Sequence, residues 1–328
     1  MNTIDVLGDE VAFGRMVERT IESFEDDELE SIGANAFTFC SALTTASFPN
    51  ATSIGSNAFA SCYNLTTVSF PNVINIEYAA FIYCSALSTL DWPNVEFIRT
   101  NAFQFCSGLT TVDFPKVKSI GNSAFQFCSG LTSVRFPMVP RLDRATFYGC
   151  SNLTTVSFPS VTSLGMDIFA SCNSLTTVSF PNVTYIGNNT FGACQRLTTV
   201  SFPNAVTIES NAFANCSSLT TANFPNVTSI GSSAFRACFS LATASFPAAS
   251  FIGSYAFYQC SRFVSLYLMG SSVVTLAERA FIFNSTPIGG YTTYTSGQVG
   301  SIFVPSSLYQ SYLTATNWSY FSSRFVSV

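Results

Sequence analysis

The sequence predicts a right-handed repeat solenoid, and three observations carry that prediction. All eleven cysteines, from Cys40 to Cys260, fall 22 residues apart without a slip. A Phe-Pro pair keeps the same step from Phe48 to Phe246, with Trp92 standing in once. Between the two series runs one unit, C-x-x-L-x-x-V-x-F-P-N-V-x-x-I-G-x-x-A-F-x-x-C, read from Cys172 through Phe180, Val183, Ile186 and Phe191 to Cys194. A fixed period of roughly 20–29 residues with this apolar spacing marks a leucine-rich repeat solenoid. The expected architecture is an α/β-type horseshoe or rod of about eleven coils, with one short parallel strand per coil and a cap at each end.

Each element has a physical reason. Residues 1–28 form the N-terminal cap, where Ile4, Val6, Leu7, Val11, Met16 and Val17 among acidic residues predict an amphipathic helix. A strand is expected from Arg19 to Phe24, and Leu29, Ile32, Ala36 and Phe37 then enter the repeat in register. The solenoid is expected over 29–283. Within a coil, the run from Leu175 to Phe180 fits a short strand, and Pro181 stops it because proline has no amide hydrogen to give. Gly55, Gly121, Gly165 and Gly187 follow the buried Ile or Leu, where a turn with permissive dihedrals is expected. The Ala-Phe stretch is too short for a full helix and predicts a single helical or 3₁₀ turn. One coil cannot bury its inward apolar positions alone, whereas a stack ~4.8 Å per rung can, giving a body roughly 50 Å long. Residues 284–328 form a C-terminal loop and capping module. Asn284 takes the expected cysteine position, and a flexible Gly/Thr/Ser segment runs to Gly300. A strand at Ile302–Val304, a short helix from Leu308 and Trp318, Phe321 and Phe325 then close the core.

Composition narrows the function classes. Apolar residues make up 48% and charged residues only 9%, a balance explained by a repeated core under a Ser/Thr/Asn surface. No apolar run approaches the length of a transmembrane helix, and the first residues lack the pattern of a secretory signal. The first thirty residues hold ten acidic and two basic side chains, net −8 of the overall −5, so the remainder carries +3. The acidic run Glu25 to Glu28 lacks the alternating spacing of a Ca²⁺ loop and reads as a solvated face. The chain has no histidine, which removes Ser-His-Asp and Cys-His chemistry and histidine metal sites. No phosphate-cradling glycine motif is present, and basic residues are too few for a nucleic-acid footprint. The cysteines stand in line rather than as C-x-x-C pairs, so they read as a ladder of small, reduced core side chains, with neither metal nor disulfide. The Asn-x-Ser/Thr triplets at Asn64, Asn182 and Asn226 follow from a repeat rich in those residues. No cofactor, no catalytic residue, no nucleic-acid partner and no membrane insertion are expected.

The repeated A-F-x-x-C-x-x-L-T-T-V-x-F-P-N-V-T-x-I-G closely resembles the bacterial surface-antigen, or BspA-like, type of leucine-rich repeat, over about residues 29–283. The segment from Ile302 to Trp318 resembles the closing segment of such arrays. The resemblance implies adhesion to a host or microbial surface, a cell-surface or extracellular setting, or membership of a phage-like particle. It carries no site residues, because the shared positions are core.

Two surface features are candidates for function. Outward strand positions form rows: Thr45, Thr67, Thr89, Thr111, Thr155, Thr177, Thr199, Thr221 and Thr243, with Ser47, Ser69, Ser157, Ser179, Ser201 and Ser245 two residues on. Their hydroxyls either bond along the row, a structural role, or recognise a glycan or a protein strand. Regular Thr-x-Ser rows also resemble those of ice-binding solenoids. The second feature is charge. Of fifteen charged residues between 41 and 260, eleven lie within 77–144. Asp91, Asp113 and Arg135 replace the outward Ser, so they are expected to stack on successive rungs, flanked by Lys116 and Lys118. The group either grips a partner's charges or hydroxyls or breaks the sheet against self-pairing. Trp92 lies in a core position and is expected to pack. The sequence therefore predicts a non-catalytic module that binds a protein or glycan through its strand face, with a self-assembling structural component as the alternative.

Overall fold

The computed structural model describes residues 3–4, 21–281 and 300–328. Of the amphipathic helix expected around Ile4, Val6, Leu7, Val11, Met16 and Val17, Ile4 instead stands in a two-residue strand, Thr3–Ile4, paired with Ser31–Ile32, and the rest lies outside the described residues, as do Asn284 and the segment to residue 299. The fold is a parallel-strand leucine-rich repeat solenoid with little helix, and the chain divides into two compact units, Met1–Val161 and Thr162–Val328.

In the first unit the repeat strands form as expected, and the cap strand expected from Arg19 to Phe24 lies at Ser23–Glu25: Ser23–Glu25, Thr45–Ser47 and Thr67–Ser69 pair in parallel and in register, as do Thr111–Asp113, Ser133–Arg135 and Thr155–Ser157. A second series was not anticipated. Each coil also has a two-residue strand at its x-Ile or x-Leu position, such as Ser53–Ile54, Asn75–Ile76 and Phe97–Ile98, which pair in parallel. The inward Ile anchors these residues in the core, so the chain stays extended long enough to bond the next coil.

The single helical or 3₁₀ turn expected at the Ala-Phe stretch keeps the 3₁₀ hydrogen-bond span, as in Ala60 N to Asn57 O, but is interrupted by left-handed residues. Two residues per coil have positive φ, for example Asn57 (54°) with Ser61 (61°) and Asn101 (59°) with Phe105 (63°). Left-handed residues between right-handed ones point alternate amides out of the turn. Asn57 N, Phe59 N and Ser61 N donate to Tyr78 O, Ala80 O and Ile82 O of the next coil at 2.8–2.9 Å. The intervening amides close three-residue turns, as Ala60 N does to Asn57 O at 3.0 Å. Asparagine recurs at the first of these positions because its short polar side chain tolerates the left-handed region.

The glycines after Ile have another cause than the one expected. None of Gly55, Gly121 and Gly187 has positive φ; a Cβ at Gly55 would lie 2.7 Å from Ala34 N, and one at Gly121 only 2.4 Å from Thr100 N. In these coils the backbone of the preceding coil stands where a Cβ would be, whereas Glu77, Arg99, Asp143 and Glu209 fill the same position in other coils.

The second unit repeats this plan and closes it. Thr177–Ser179 pairs with Thr199–Ser201, and Thr221–Asn223, Thr243–Ser245, Ser265–Tyr267, Ser301–Val304 and Phe325–Ser327 form one parallel ladder. The segment 300–328 therefore adds two rungs as well as covering the core. Between them lie a 3₁₀ turn at Ser306–Leu308, a helix at Tyr309–Thr314 and a 3₁₀ segment at Ser319–Arg324. Trp318 and Tyr312 are fully buried; the Trp318 indole donates to Val274 O at 2.6 Å, and the Tyr312 hydroxyl accepts from Val274 N at 3.1 Å. Trp318 and Phe321 pack on Phe281, as the sequence suggested. Among the described residues no helix is long and apolar enough to cross a membrane.

The core of each unit is a set of like-on-like columns. The phenylalanines three residues before each cysteine stack at centroid distances of 5.0 Å (Phe37 on Phe59) to 5.5 Å (Phe169 on Phe191). The cysteines are buried free thiols, but they are more than small apolar fillers. Cys62 Sγ donates to Phe37 O of the preceding coil at 3.0 Å, and the same bond recurs from Cys84 to Phe59, Cys106 to Phe81 and Cys216 to Phe191. Burial pushes the thiols of Cys194 and Cys260 well above their ordinary range, to about 12.

Candidate binding face

The Thr-x-Ser strand is built by alternation. In Thr177–Ser179, Val178 points into the core at 4% exposure, while Thr177 and Ser179 point outward. Repetition sets these hydroxyls in two rows. The structural hydroxyl is a different one: the threonine just before the strand. Thr44 Oγ1 donates to Glu22 O at 2.7 Å, Thr66 Oγ1 to Thr44 O at 2.9 Å and Thr132 Oγ1 to Thr110 O at 3.0 Å. Of the outward rows, Thr67 has a side-chain partner, Thr66 Oγ1 at 3.3 Å; among the described residues the other outward hydroxyls have none. The expected bonding along the rows is thus absent from the rows themselves.

Asparagines do similar stitching. Asn64 Nδ2 donates to Ser41 O at 2.8 Å and Asn226 Nδ2 to Pro203 O at 2.7 Å, which accounts for the recurrence of Asn-x-Ser/Thr by coil-to-coil bonding.

The charged group is arranged differently from the expected stack. Arg135 and Asp113 are partners in the ladder, and Arg135 Nη1 lies 3.2 Å from Asp113 Oδ1. Asp91 does not join them, because residues 88–91 form no strand. The bonds that flank this rung are long: Ser88 N to Thr66 O is 3.3 Å and Thr110 N to Ser88 O is 3.4 Å, against 2.8 Å for Thr66 N to Thr44 O. The cause lies in Trp92. Its ring is buried at 1% exposure, as expected, and its indole N–H takes the Val68 carbonyl at 3.0 Å, within the strand that Asp91 would otherwise pair with. The lysines do not turn toward Asp91 either. Lys116 Nζ donates to Asn94 Oδ1 at 2.7 Å, and Lys118 Nζ pairs with Glu96 Oε2 at 2.7 Å. Asp91 is exposed and, among the described residues, has no ion-pair or hydrogen-bond partner.

Two depressions meet at Asp91. One of about 510 Å³ runs over the rungs of Ser23, Thr45, Thr67 and Thr89, and one of about 360 Å³ lies between residues 89–93 and 111–115. Among the described residues no three His, Cys, Asp or Glu side chains are placed to hold a metal ion.

The sequence matches the BspA type leucine rich repeat region, in 6 copies, over residues 30–154, 140–264 and 186–292. The chain belongs to the BspA-type leucine-rich repeat family. Solved structures similar to this BspA-type chain are also repeat proteins. A leucine-rich repeat protein of Bacteroides ovatus is 20% identical, with 93% of this chain and 92% of that one covered and a TM-score of 0.53. A Treponema pallidum leucine-rich repeat protein is 30% identical over 47% of this chain and 78% of its own, with a TM-score of 0.45. The first likeness speaks to the fold. No curated relative matches the sequence.

One surface feature escaped the sequence reading. Tyr83, Phe105 and Phe127 stack outside the core at 4.7 Å and 4.9 Å, each in a left-handed conformation. The signal was legible in the residue before Cys84, Cys106 and Cys128, which is aromatic in three successive coils.

Proposed function

We propose that this chain is a non-catalytic binding module that recognises a protein or glycan partner through the strand face of its repeats. The observation that carries the reading is the division of labour among hydroxyls. Coil-to-coil bonding uses Thr44, Thr66 and Thr132, whereas the outward Thr-x-Ser hydroxyls, apart from Thr67 with its one contact to Thr66, have no side-chain partner among the described residues and can donate and accept. Threonine is stiff at χ1, so an outward row offers its groups with little entropy left to lose on binding. Asp91, with the Asp113–Arg135 pair and the neighbouring Lys116 and Lys118, supplies the part of the face that departs from the repeat. A cell-surface or extracellular setting accompanies this reading through the family.

The test is binding of the full chain to host-matrix proteins and microbial polysaccharides. Partners are first identified with the parent, then measured against two variants. Thr67→Val with Ser69→Ala should lose the partner. Asp91→Ser, Asp113→Ser and Arg135→Ser together should weaken it while leaving the fold intact. If both variants bind every partner as the parent does, the strand face is not the recognising surface.

A further inference from the structure

The groove over the first rungs has a charge pattern that the hydroxyl rows alone do not explain. Its floor is the face of Ser23–Glu25, Thr45–Ser47 and Thr67–Ser69, continued by Thr89 and Asp91, with Pro71 at its side. Carboxylates stand at its two ends, Glu25 on the first rung and Asp91 on the fourth, and only hydroxyls stand between them. Both are exposed, and neither has an ion-pair partner among the described residues. Along the chain nothing in this stretch compensates them: among the described residues from 21 to 98 there are nine carboxylates and no lysine or arginine. One rung further on the pattern ends, because Arg135 holds the Asp113 carboxylate at 3.2 Å.

From this geometry we propose that the groove from Glu25 to Asp91 docks an extended, basic segment of a protein partner, lying across the strands. The proposal rests on the strand face being the recognising surface. Charge complementarity selects the occupant: two carboxylates without an ion-pair partner among the described residues, in a stretch from 21 to 98 that holds no lysine or arginine, attract a cationic chain and repel an acidic one. Spacing selects its form. Three rungs separate the carboxylates by roughly 14 Å, and side chains i and i+4 of an extended peptide lie on one face roughly 13 Å apart. Two lysines or arginines four residues apart therefore reach Glu25 and Asp91 together. The peptide's own N–H and C=O groups meet hydroxyls that both donate and accept. The interrupted rung at Asp91 serves this arrangement, since its carboxylate is held by no neighbour.

The test uses the full chain and labelled extended peptides. One carries Lys-Thr-Val-Thr-Lys, a second carries its lysines three apart, and a third has glutamine for lysine. The first should bind about tenfold more tightly than the other two, the equivalent of two exposed ion pairs, and should weaken as salt rises. Glu25→Gln with Asp91→Asn should remove that advantage. Glu77→Gln, at a carboxylate 4.0 Å from Arg99 and outside the groove, should leave it unchanged. Equal binding of the three peptides, or an unaltered advantage in the double variant, overturns the proposal, as does capture of a neutral polysaccharide or a second copy of the chain by the same groove without salt dependence. The two readings separate cleanly. A partner lost by Thr67→Val with Ser69→Ala but kept by Glu25→Gln with Asp91→Asn leaves the face as the recognising surface and removes its basic occupant.

Discussion

The coil that carries Asp91 and the coil that carries Ser179 are built from the same unit, yet only the second completes its strand. Both bury a cysteine and the phenylalanine three residues before it, and both keep the left-handed turn, at Ala79 and Tyr83 in one and at Asp167 and Ser171 in the other. In the second coil, Thr177–Ser179 pairs residue for residue with Thr199–Ser201. In the first, Trp92 has diverted an acceptor and residues 88–91 pair with neither neighbour as a strand. The interrupted coil still keeps its turn bonds to the next coil, with Phe81 N to Ala102 O at 2.8 Å. The strand ladder is thus one of several attachments between coils, and it can lapse locally while core columns and turn bonds hold. That freedom lets the outward face vary without loss of the fold.

The sharpest way to test this ranking is to injure each attachment separately. Phe191→Ala removes a ring from the middle of a stacked column at 0% exposure and should cost about 3–5 kcal/mol, read by chemical denaturation. Trp92→Phe, which restores the repeat and releases the Val68 carbonyl, should cost less than about 1.5 kcal/mol, since one large apolar ring replaces another. It should also slow amide exchange at residues 88–91 as the ladder closes. Unchanged exchange there would mean that the indole is not what interrupts the strand.

The thiol column offers a second, smaller contrast. Cys216→Ala deletes a buried sulfur and its bond to Phe191 O at 3.2 Å, an acceptor that still receives Cys194 N; about 1–2 kcal/mol is expected. The same column makes the fold sensitive to alkali. The folded thiols ionise far above their ordinary 9.0, at about 12 for Cys194 and Cys260, so the neutral form is favoured in the fold. Their contribution is fully present below pH 9.0 and is lost as pH rises toward about 12. Stability measured between those limits should fall more steeply for the parent than for a variant with Cys194 and Cys216 replaced by alanine. Parallel slopes would sever the link between the thiols and the alkaline loss.

Much of this was legible in sequence because the repeat displays its core eleven times over. The period of Cys40 to Cys260 gave the coil, and the alternation in Leu175 to Phe180 gave the strand and its outward rows. What escaped depends on contacts between coils, which a single unit does not display. Gly55 reads as a turn residue until Ala34 N is seen 2.7 Å from where its Cβ would be. A cysteine reads as a small apolar side chain until its thiol is found donating to a carbonyl 25 residues earlier. For the candidate site, sequence placed Asp113 beside Arg135 correctly, because ladder register follows the period. It did not show that residues 88–91 form no strand, where the indole of the adjacent Trp92 takes the Val68 carbonyl.

The smallest effect expected concerns the first left-handed position of the turn, where the interrupted coil and its predecessor hold different side chains. Asn57 and Ala79 occupy the same left-handed position, at φ of 54° and 52°. Asparagine visits that region readily, whereas alanine enters it against a steric cost of about 1 kcal/mol or more. Glycine removes the cost but brings extra freedom to the unfolded chain, worth roughly 0.5–1 kcal/mol against it. Ala79→Gly should therefore come out slightly stabilising, by about 0.5 kcal/mol, and Asn57→Gly neutral or slightly destabilising, because there is less strain to relieve. Space is no obstacle at either position, since glycine only removes atoms. Paired denaturation curves in one buffer resolve a difference of that size, and the sign matters more than the amount. If Ala79→Gly proves the more destabilising of the two, the left-handed turn is not under strain at alanine, and the recurrence of asparagine there needs a cause other than backbone conformation.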